Sequence, residues 1–193
     1  MPRKPGPGQV RIIAGIWRSR RLPVAEAPGL RPSGDRVRET LFNWLQPHIA
    51  GAVCADLYAG SGALGLEAAS RGAASVVLIE RHPLAAAQLE ENIRALGATQ
   101  VTLHKGDIMD WLPRQAPATF DLLFADPPFE AGVHGELLRA IAGSGCLKPG
   151  GLLYLESAAG AELLPPPPGW ACWREQRIGE VRLQVFCRSN LRP

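Results

Sequence analysis

The segment that decides the fold runs from residue 53 to residue 65 and reads Val-Cys-Ala-Asp-Leu-Tyr-Ala-Gly-Ser-Gly-Ala-Leu-Gly. It starts with an apolar run, Val53 to Tyr58, of the length and composition typical of a buried strand. A Gly-x-Gly-x-x-Gly pattern follows, and Leu64 to Arg71 then has helical spacing. A strand, a tight glycine turn and a helix predict the first unit of a parallel sheet, with a ligand site at the carboxyl edge of its strands.

Apolar runs and helical patterns alternate through most of the remaining chain, as in a parallel sheet covered on both faces. The further strands are predicted at Ser75 to Glu80, Val101 to His104, Asp121 to Ala125 and Leu152 to Glu156. The helices are predicted at Leu84 to Leu96, which stops at Gly97, and at Gly135 to Ala142. Two last strands, Trp173 to Ile178 and Val181 to Cys187, flank a two-residue turn and predict an antiparallel hairpin. The fold class is therefore α/β, a doubly wound, mostly parallel seven-stranded sheet with a C-terminal antiparallel hairpin.

The amino-terminal region has a different pattern. Gln9 to Ala14 and Arg20 to Val24 are short extended segments that predict a small hairpin. From Asp35 onward apolar residues recur at helical spacing, with Asp35 or Ser33 available as the N-cap. The predicted organisation is a basic amino-terminal arm with a hairpin over residues 1–34, followed by one main domain over residues 35–193.

Charge is distributed unevenly along the chain. Residues 1–38 contain nine Lys or Arg and two acids, a net charge of +7, so the rest of the chain has a net charge of −4. A basic arm on a mildly acidic body is typical of a protein that binds a nucleic acid, because phosphate contacts and counterion release drive such binding. A solvated, solubilising tail would show the same composition.

Several functional classes find no support in the sequence. No apolar stretch reaches the roughly 20 residues that a membrane span requires, and no apolar signal core follows the first charges, which predicts a cytoplasmic protein. The four Cys and four His are scattered, without the paired spacing of a zinc site or a disulfide framework. We therefore expect no metal.

The glycine pattern predicts a nucleotide-like ligand. Backbone at Gly60, Ser61 and Gly62 would approach it closely, and Glu80, at the end of the second strand, is placed to hold ribose hydroxyls. Alone, this pattern suits a nicotinamide or flavin nucleotide equally well.

Two acids favour S-adenosylmethionine as that ligand. Asp56, at the mouth of the loop, would repel a pyrophosphate but could accept hydrogen bonds from the ammonium group of a methionine moiety. Asp107 could receive the adenine amino group, with Ile108 packing on the ring, or it could simply cap the following helix. Tyr58 and Arg81 complete the predicted cofactor set.

The tetrapeptide Asp126-Pro127-Pro128-Phe129 directly follows the fourth strand and predicts the catalytic site. The exocyclic nitrogen of a base is a poor nucleophile, because its lone pair is delocalised into the ring. The Asp126 carboxylate and the Pro127 carbonyl could accept hydrogen bonds from its two hydrogens, since consecutive prolines hold the carbonyl in a fixed direction. Phe129 offers an aromatic face on which the base could stack. An ordinary turn at the end of a strand also favours Asp and Pro.

With these residues identified, the chain closely resembles the RsmD family, bacterial methyltransferases that modify a guanine N2 in small-subunit ribosomal RNA. The resemblance covers nearly the whole chain and depends on Arg11 to Gly15 with Trp17-Arg18, Gly29 to Ser33, Asp35 to Trp44, Asp56 to Gly65 and Asp126 to Phe129. Ser33 stands where the family pattern has Thr, and Tyr58 where it has Phe.

The resemblance implies a class I methyltransferase, Rossmann-like sheet, S-adenosylmethionine as donor, and guanine N2 of 16S ribosomal RNA within a partly assembled 30S subunit as target. The resemblance also implies that the block from Arg31 to Arg38 lines the mouth of the cofactor pocket and guides RNA there. Together with the charge of the basic arm, this gives the residues expected to contact RNA: Arg11, Trp17, Arg18, Arg20, Arg21, Arg31, Arg36 and Arg38. Three other classes stay open from the residues alone: a nicotinamide-dependent oxidoreductase, a protein or DNA amino-methyltransferase, and a non-catalytic assembly factor that retains the fold.

Overall fold

The structure, a computed structural model, describes residues 8–25, 34–128, 133–162 and 165–188. The strands are β1 (Gln9–Arg11), β2 (Arg21–Pro23), β3 (Val53–Asp56), β4 (Ser75–Glu80), β5 (Val101–Lys105), β6 (Phe120–Ala125), β7 (Leu147–Ala158), β8 (Trp170–Ile178) and β9 (Val181–Arg188). The helices are α1 (Asp35–Ile49), α2 (Gly65–Ser70), α3 (Pro83–Leu96), α4 (Ile108–Trp111), which continues into a 3₁₀ turn (Leu112–Arg114), and α5 (Val133–Ser144).

Seven strands form one sheet in the order β5-β4-β3-β6-β7-β9-β8. The first five in this order run parallel, and β9 pairs antiparallel with both β7 and β8. The chain moves outward from β3 to β5 and then returns to place β6 on the other side of β3. This reversal is a topological switch point, where the loops after β3 and β6 separate and leave a crevice at the carboxyl edge.

Two hydrophobic clusters cover the two faces of the sheet. One contains the buried side chains of the amino-terminal hairpin, α1, α2 and α3. The other contains those of α4, the 3₁₀ turn and α5. The doubly wound, mostly parallel seven-stranded sheet with its C-terminal hairpin, predicted from the alternation of patterns, is confirmed.

Element bounds differ from the predicted ones where a strand continues through turn residues. The strand predicted at Leu152 to Glu156 is β7, which starts at Leu147. Leu147 pairs with Phe120 of β6, and the register between β6 and β7 then shifts before Leu152 pairs with Leu122. Gly150, with a φ of +78°, lies in the stretch where the register shifts. Glycine and proline residues normally mark a loop, and here the strand continues through them because Leu147 and Leu152, on either side, both pair with β6.

The amino-terminal hairpin is present, with Val10 opposite Leu22, and its strands are shorter than predicted. The strand predicted to reach Ala14 ends at Arg11, because the N–H groups of Ile13 and Ala14 donate to the Glu67 carboxylate and not to a partner strand. Since the apolar side of the hairpin packs in the same cluster as α1 to α3, the division of the chain at residue 34 stays a prediction.

Helix α1 starts at Asp35 as predicted, but its N-cap differs. Gly34 occupies the cap position, and no side chain caps the helix. The Asp35 carboxylate accepts hydrogen bonds from Arg11 and Arg38 instead, so the assignment of Asp35 as cap was wrong. Ser33, the other candidate, lies outside the described residues.

Within the described ranges, no helix has the length and apolar character required to cross a lipid bilayer. The same ranges contain no group of three or more His, Cys, Asp or Glu side chains placed to hold a metal ion.

The surroundings of two helical glycines, Gly65 in α2 and Gly143 in α5, predict opposite effects of alanine substitution on stability. A Cβ on Gly65 would collide with Leu78 Cδ2 and lie 3.2 Å from the Asp56 side chain. We expect Gly65→Ala to lower the free energy of unfolding by about 1–3 kcal/mol, since overpacking a filled core displaces neighbours. Urea denaturation followed by circular dichroism measures the change.

Gly143→Ala, in α5, is the matched control. A Cβ there meets no heavy atom within 4 Å, so the change should raise the free energy of unfolding by a few tenths to about 1 kcal/mol. Equal effects of the two variants would contradict the close approach of α2 to the sheet.

Candidate active site at the carboxyl edge of the sheet

The loop after β3 requires its glycines for distinct steric reasons. Gly60 and Gly62 have φ values of +51° and +79°, in the left-handed region that favours glycine. A Cβ on Gly62 would also lie 2.7 Å from Leu66 Cδ1 and from Leu89 Cδ2. The third glycine of the pattern, Gly65, allows α2 to approach Asp56. The loop is therefore a tight turn held between α2, α3 and the end of β3.

Asp56 lies beneath this loop with only 1% of its surface exposed. Its Oδ2 accepts a hydrogen bond from Gly65 N at 2.9 Å, while its buried Oδ1 has no hydrogen-bond partner among the described residues. Burial raises the pKa of Asp56 to about 7, with a further contribution to that value from the nearby negative charges of Asp126 and Glu80 and an opposing one from the Gly65 hydrogen bond. A buried, unsatisfied acceptor is costly, so this oxygen suits a ligand that carries hydrogen-bond donors.

Glu80 connects the loop to the end of β4. Its Oε2 accepts a hydrogen bond from Gly60 N at 2.8 Å, and its Oε1 accepts one from His82 N at 2.6 Å. Each carboxylate oxygen has a second lone pair. Glu80 therefore holds the loop in place and keeps the capacity to accept bonds from a pair of ligand hydroxyls.

The remaining predicted cofactor residues lie along the ends of β3, β4 and β5. Asp107 Oδ1 accepts a hydrogen bond from Met109 N at 2.8 Å, so this side chain caps α4, the alternative that the sequence left open. Its other oxygen lies 3.6 Å from Arg81 Nη1. Ile108 is buried and Tyr58 is half-buried, and the pKa of Tyr58 is raised by burial and by the charge of Asp107. A contact of Asp107 with an adenine amino group stays a prediction.

Asp126 leaves β6 directly beside β3. Asp56 pairs with Phe124 in the parallel register, which places Asp126 at the switch point, close enough for its charge to raise the pKa of Asp56. Pro127 is buried and Pro128 is exposed. Phe129 lies outside the described residues, so its stacking role stays a prediction. Asp126, Pro127 and Pro128 therefore lie at the same crevice as the glycine loop.

A second polar group beside Asp126 was missed by the sequence reasoning. The Tyr154 hydroxyl donates to Glu156 Oε2 at 2.8 Å, and His134 Nε2 lies 3.1 Å from the Glu156 carbonyl oxygen. Burial raises the pKa of Tyr154 well above its ordinary value, with Glu156 and Asp126 adding to the effect. The available signal was an acid near the end of an apolar strand, the same pattern that identified Asp56 and Glu80.

Those predicted RNA contacts that the structure describes fall into an exposed and a buried group. Their exposed members are Arg11, Arg18, Arg20, Arg21 and Arg36. Arg31 lies outside the described residues. Trp17 and Arg38 are 9% and 1% exposed, so they are buried and unavailable to an RNA strand, and their assignment as RNA contacts was wrong.

The physical reason for the burial of Arg38 is a buried acid. Arg38 Nη2 lies 2.6 Å from Asp35 Oδ1, and its Nη1 lies 3.7 Å from Glu67 Oε2. Glu67 is fully buried and also accepts a hydrogen bond from Arg71 Nε at 2.7 Å. Arg38 therefore compensates a buried charge inside the fold, which the sequence could not distinguish from a basic surface residue.

The strand order, with a glycine loop after the central strand and an antiparallel pair at one end, is that of the class I, Rossmann-like methyltransferases. A family model described as "Conserved hypothetical protein 95" matches residues 10–187. The chain belongs to this family, the RsmD family, as its motifs predicted.

Relatives match over nearly the whole chain. The ribosomal RNA small subunit methyltransferase D of Escherichia coli strain K12 is 43% identical over 188 residues, which is 97% of this chain and 94% of that protein. The protein of the same name from Haemophilus influenzae is 40% identical over 93% of this chain and 94% of its own. The solved structure of yhhF from Escherichia coli gives a TM-score of 0.85 at 43% identity, covering 94% of this chain and 98% of that one.

The raised pKa of Asp56 predicts how the stability of the cofactor-free protein changes with pH. Below about pH 4 the carboxyl is protonated in both the folded and the unfolded state. As the pH rises to about 7, the unfolded state ionises first, so the free energy of unfolding falls and the loss is complete above the folded pKa. We expect Asp56→Asn to lack this component, as measured by urea denaturation at several pH values between 4 and 8.

The exposed Asp110→Asn serves as the matched control and should follow the wild-type pH profile. A difference between wild type and Asp56→Asn that stays constant over this pH range would contradict the neutral, buried state of Asp56.

Proposed function

We propose that the chain transfers a methyl group from S-adenosylmethionine to the exocyclic N2 of a guanine in 16S ribosomal RNA. The observation that carries this proposal is the placement of Asp126-Pro127-Pro128 beside the glycine loop at the switch point of the sheet. The names of the Escherichia coli and Haemophilus influenzae relatives support ribosomal RNA of the small subunit as the substrate. The choice of guanine N2 comes from the family resemblance.

The residues around the loop fit S-adenosylmethionine. Asp56 offers a buried acceptor oxygen without a partner among the described residues, which suits a cationic donor such as an ammonium group. Glu80 suits the ribose hydroxyls, while Tyr58 and Ile108 offer apolar surface for the adenine. Bound there, S-adenosylmethionine supplies a methyl group made electrophilic by its positive sulfur.

Asp126 and Pro127 prepare the nucleophile. The Asp126 carboxylate and the Pro127 carbonyl accept hydrogen bonds from the two hydrogens of the exocyclic nitrogen. This draws the nitrogen toward a tetrahedral geometry and frees its lone pair for in-line attack. Holding the two reactants in this arrangement supplies much of the acceleration, because a bimolecular encounter becomes a positioned one.

The acids near the switch point stabilise the charge that develops during transfer. Positive charge accumulates on the nitrogen as the new bond forms, and Asp126 lies beside it in a partly buried environment where electrostatic interactions are strong. Once methylated, the nitrogen is positively charged and acidic and releases its extra proton to solvent, so no strong base is required. Glu156 and Tyr154 extend this acidic, hydrogen-bonded edge along β7.

The exposed arginines of the hairpin and α1 are the proposed contacts for the RNA backbone. Arg18, Arg20 and Arg21 lie on the hairpin and Arg36 on the first turn of α1, and all four are exposed. Such contacts orient the RNA without reading its sequence. We extend the proposal to a partly assembled 30S subunit as the natural substrate, and to the cytoplasm as the place of action.

The first test concerns Asp126. We expect Asp126→Ala to lower kcat by about 100-fold or more, because removing one preorganised electrostatic contact to the reacting group typically costs that much. The affinity for S-adenosylmethionine, measured by calorimetry, should stay within a few-fold of wild type. Transfer is followed with radiolabelled donor on 16S ribosomal RNA particles.

Asp110→Asn, an exposed acid at the carboxyl edge in α4, is the matched control and should retain wild-type kcat. Near-normal turnover by Asp126→Ala would remove this residue from the mechanism.

The second test identifies the substrate. Purified protein is incubated with radiolabelled donor and, in turn, 30S particles, naked 16S ribosomal RNA, duplex DNA and protein. We expect label in 16S ribosomal RNA, released by nuclease digestion as N2-methylguanosine. Label in DNA or protein would overturn the RNA assignment, and no label on any substrate would favour a non-catalytic assembly factor.

A further inference from the structure

The amino-terminal hairpin is fastened to helix α2 by a buried carboxylate. Glu67 Oε2 accepts a hydrogen bond from Ile13 N at 2.7 Å, and Oε1 accepts one from Ala14 N at 3.0 Å. Both amides belong to the segment between β1 and β2. The two bonds take up both oxygens of a side chain that is fully buried.

One helical turn further along α2, Ser70 holds the tip of the same hairpin. Its Oγ donates to Ala14 O at 2.6 Å and accepts from Trp17 N at 3.0 Å, and its carbonyl oxygen accepts from Ile16 N at 2.8 Å. Gly15 has a φ of +83°, and a Cβ there would collide with the Ser70 carbonyl. The backbone of the tip therefore lies directly against the end of α2.

Charge compensation links this attachment to α1. Glu67 faces the guanidinium groups of Arg71 and Arg38, and Asp35 joins Arg38 to Arg11 on the hairpin, with the Arg11 Nη2 to Asp35 Oδ2 distance at 2.7 Å. Breaking one partner of a buried pair leaves an uncompensated charge, so the network resists partial opening.

The other end of α2 is the glycine loop. Gly65 N is held by Asp56, and Leu66 N donates to Gly62 O at 2.9 Å. The helix has six residues and a length of about 9 Å at 1.5 Å per residue. A short, buried helix thus has the proposed donor site at one end and the basic hairpin at the other.

We infer that Glu67 and Ser70 are positioning residues, which hold the basic hairpin in one register relative to the glycine loop so that bound RNA and methyl donor are aligned. This inference rests on the proposed function. Apolar contacts of the hairpin, such as those of Val10 and Leu22, are non-directional. The directional bonds of Glu67 and Ser70 select one placement, which also orients the exposed Arg18, Arg20 and Arg21.

The test uses Gly15→Ala, which inserts a methyl group between the tip and Ser70. We expect the Kd and the KM for 16S ribosomal RNA to rise about tenfold, because displaced arginines lose phosphate contacts. The Kd for S-adenosylmethionine should stay within about twofold, since the loop end of α2 is untouched. Hydrogen exchange at the amides of Ile16 and Trp17 should become faster.

Gly51→Ala is the matched control. Gly51 also has a positive φ, +76°, but a Cβ there meets no heavy atom within 4 Å. It carries similar backbone strain without touching the hairpin. Its KM for RNA should equal that of wild type even if its stability falls.

Ser70→Ala is the second variant and leaves the hairpin sequence unchanged. It removes the two hydroxyl bonds to Ala14 and Trp17, so the Kd for RNA should rise about threefold in the same direction.

Three outcomes would overturn the inference. The first is faster exchange at the hairpin amides in both variants with an unchanged Kd and KM for RNA. The second is a parallel loss of affinity for S-adenosylmethionine, which would assign the contacts to the support of the loop. The third is an effect of Gly51→Ala equal to that of Gly15→Ala.

Wild-type protein that binds 16S ribosomal RNA without methylating it would overturn the proposed function, while the comparison of Kd values would still decide the inference.

Discussion

The hydrogen bond from Gly65 N to the Asp56 carboxylate is the constraint on which the rest of the structure depends. It joins the first residue of α2 to the last residue of β3, and it forms only because Gly65 has no side chain. Burying this carboxylate raises its pKa to about 7. The glycine loop is thereby closed over an acid that a cationic ligand would stabilise in its charged form.

Acids recur where parallel strands end, and this determines the chemistry of the edge. Asp56, Glu80, Asp126 and Glu156 lie at or near the carboxyl ends of four neighbouring strands. The negative charges of Asp126 and Glu80 add to the effect of burial in raising the pKa of Asp56. Such an edge favours positively charged groups, both in a bound sulfonium cofactor and on a nitrogen that gains a methyl group.

Sequence patterns predicted the sheet well because its strands are nearly continuous apolar runs. The strand at Ser75 to Glu80 has the predicted bounds, and α3 ends at Gly97, which adopts the left-handed conformation expected of a helix stop. The prediction of an RNA contact was wrong for Trp17, which packs in the hydrophobic core. It was also wrong for Arg38, because a cation in a basic segment looks the same in sequence whether it faces solvent or a buried acid. Glu67, its buried partner, is 29 residues further along the chain.

The sequence by itself determined the order of strands and helices, the glycine turn and the acids at the strand ends, since periodicity, glycine conformation and strand termini are local properties. Only the tertiary structure decided which charged side chains are buried and which lie on the surface. Burial of Glu67, Arg38 and Asp56 depends on partners from distant segments, and no local pattern encodes such pairing. The same holds for the attachment of the hairpin to α2, where four backbone N–H groups of residues 13–17 find acceptors more than 50 residues away.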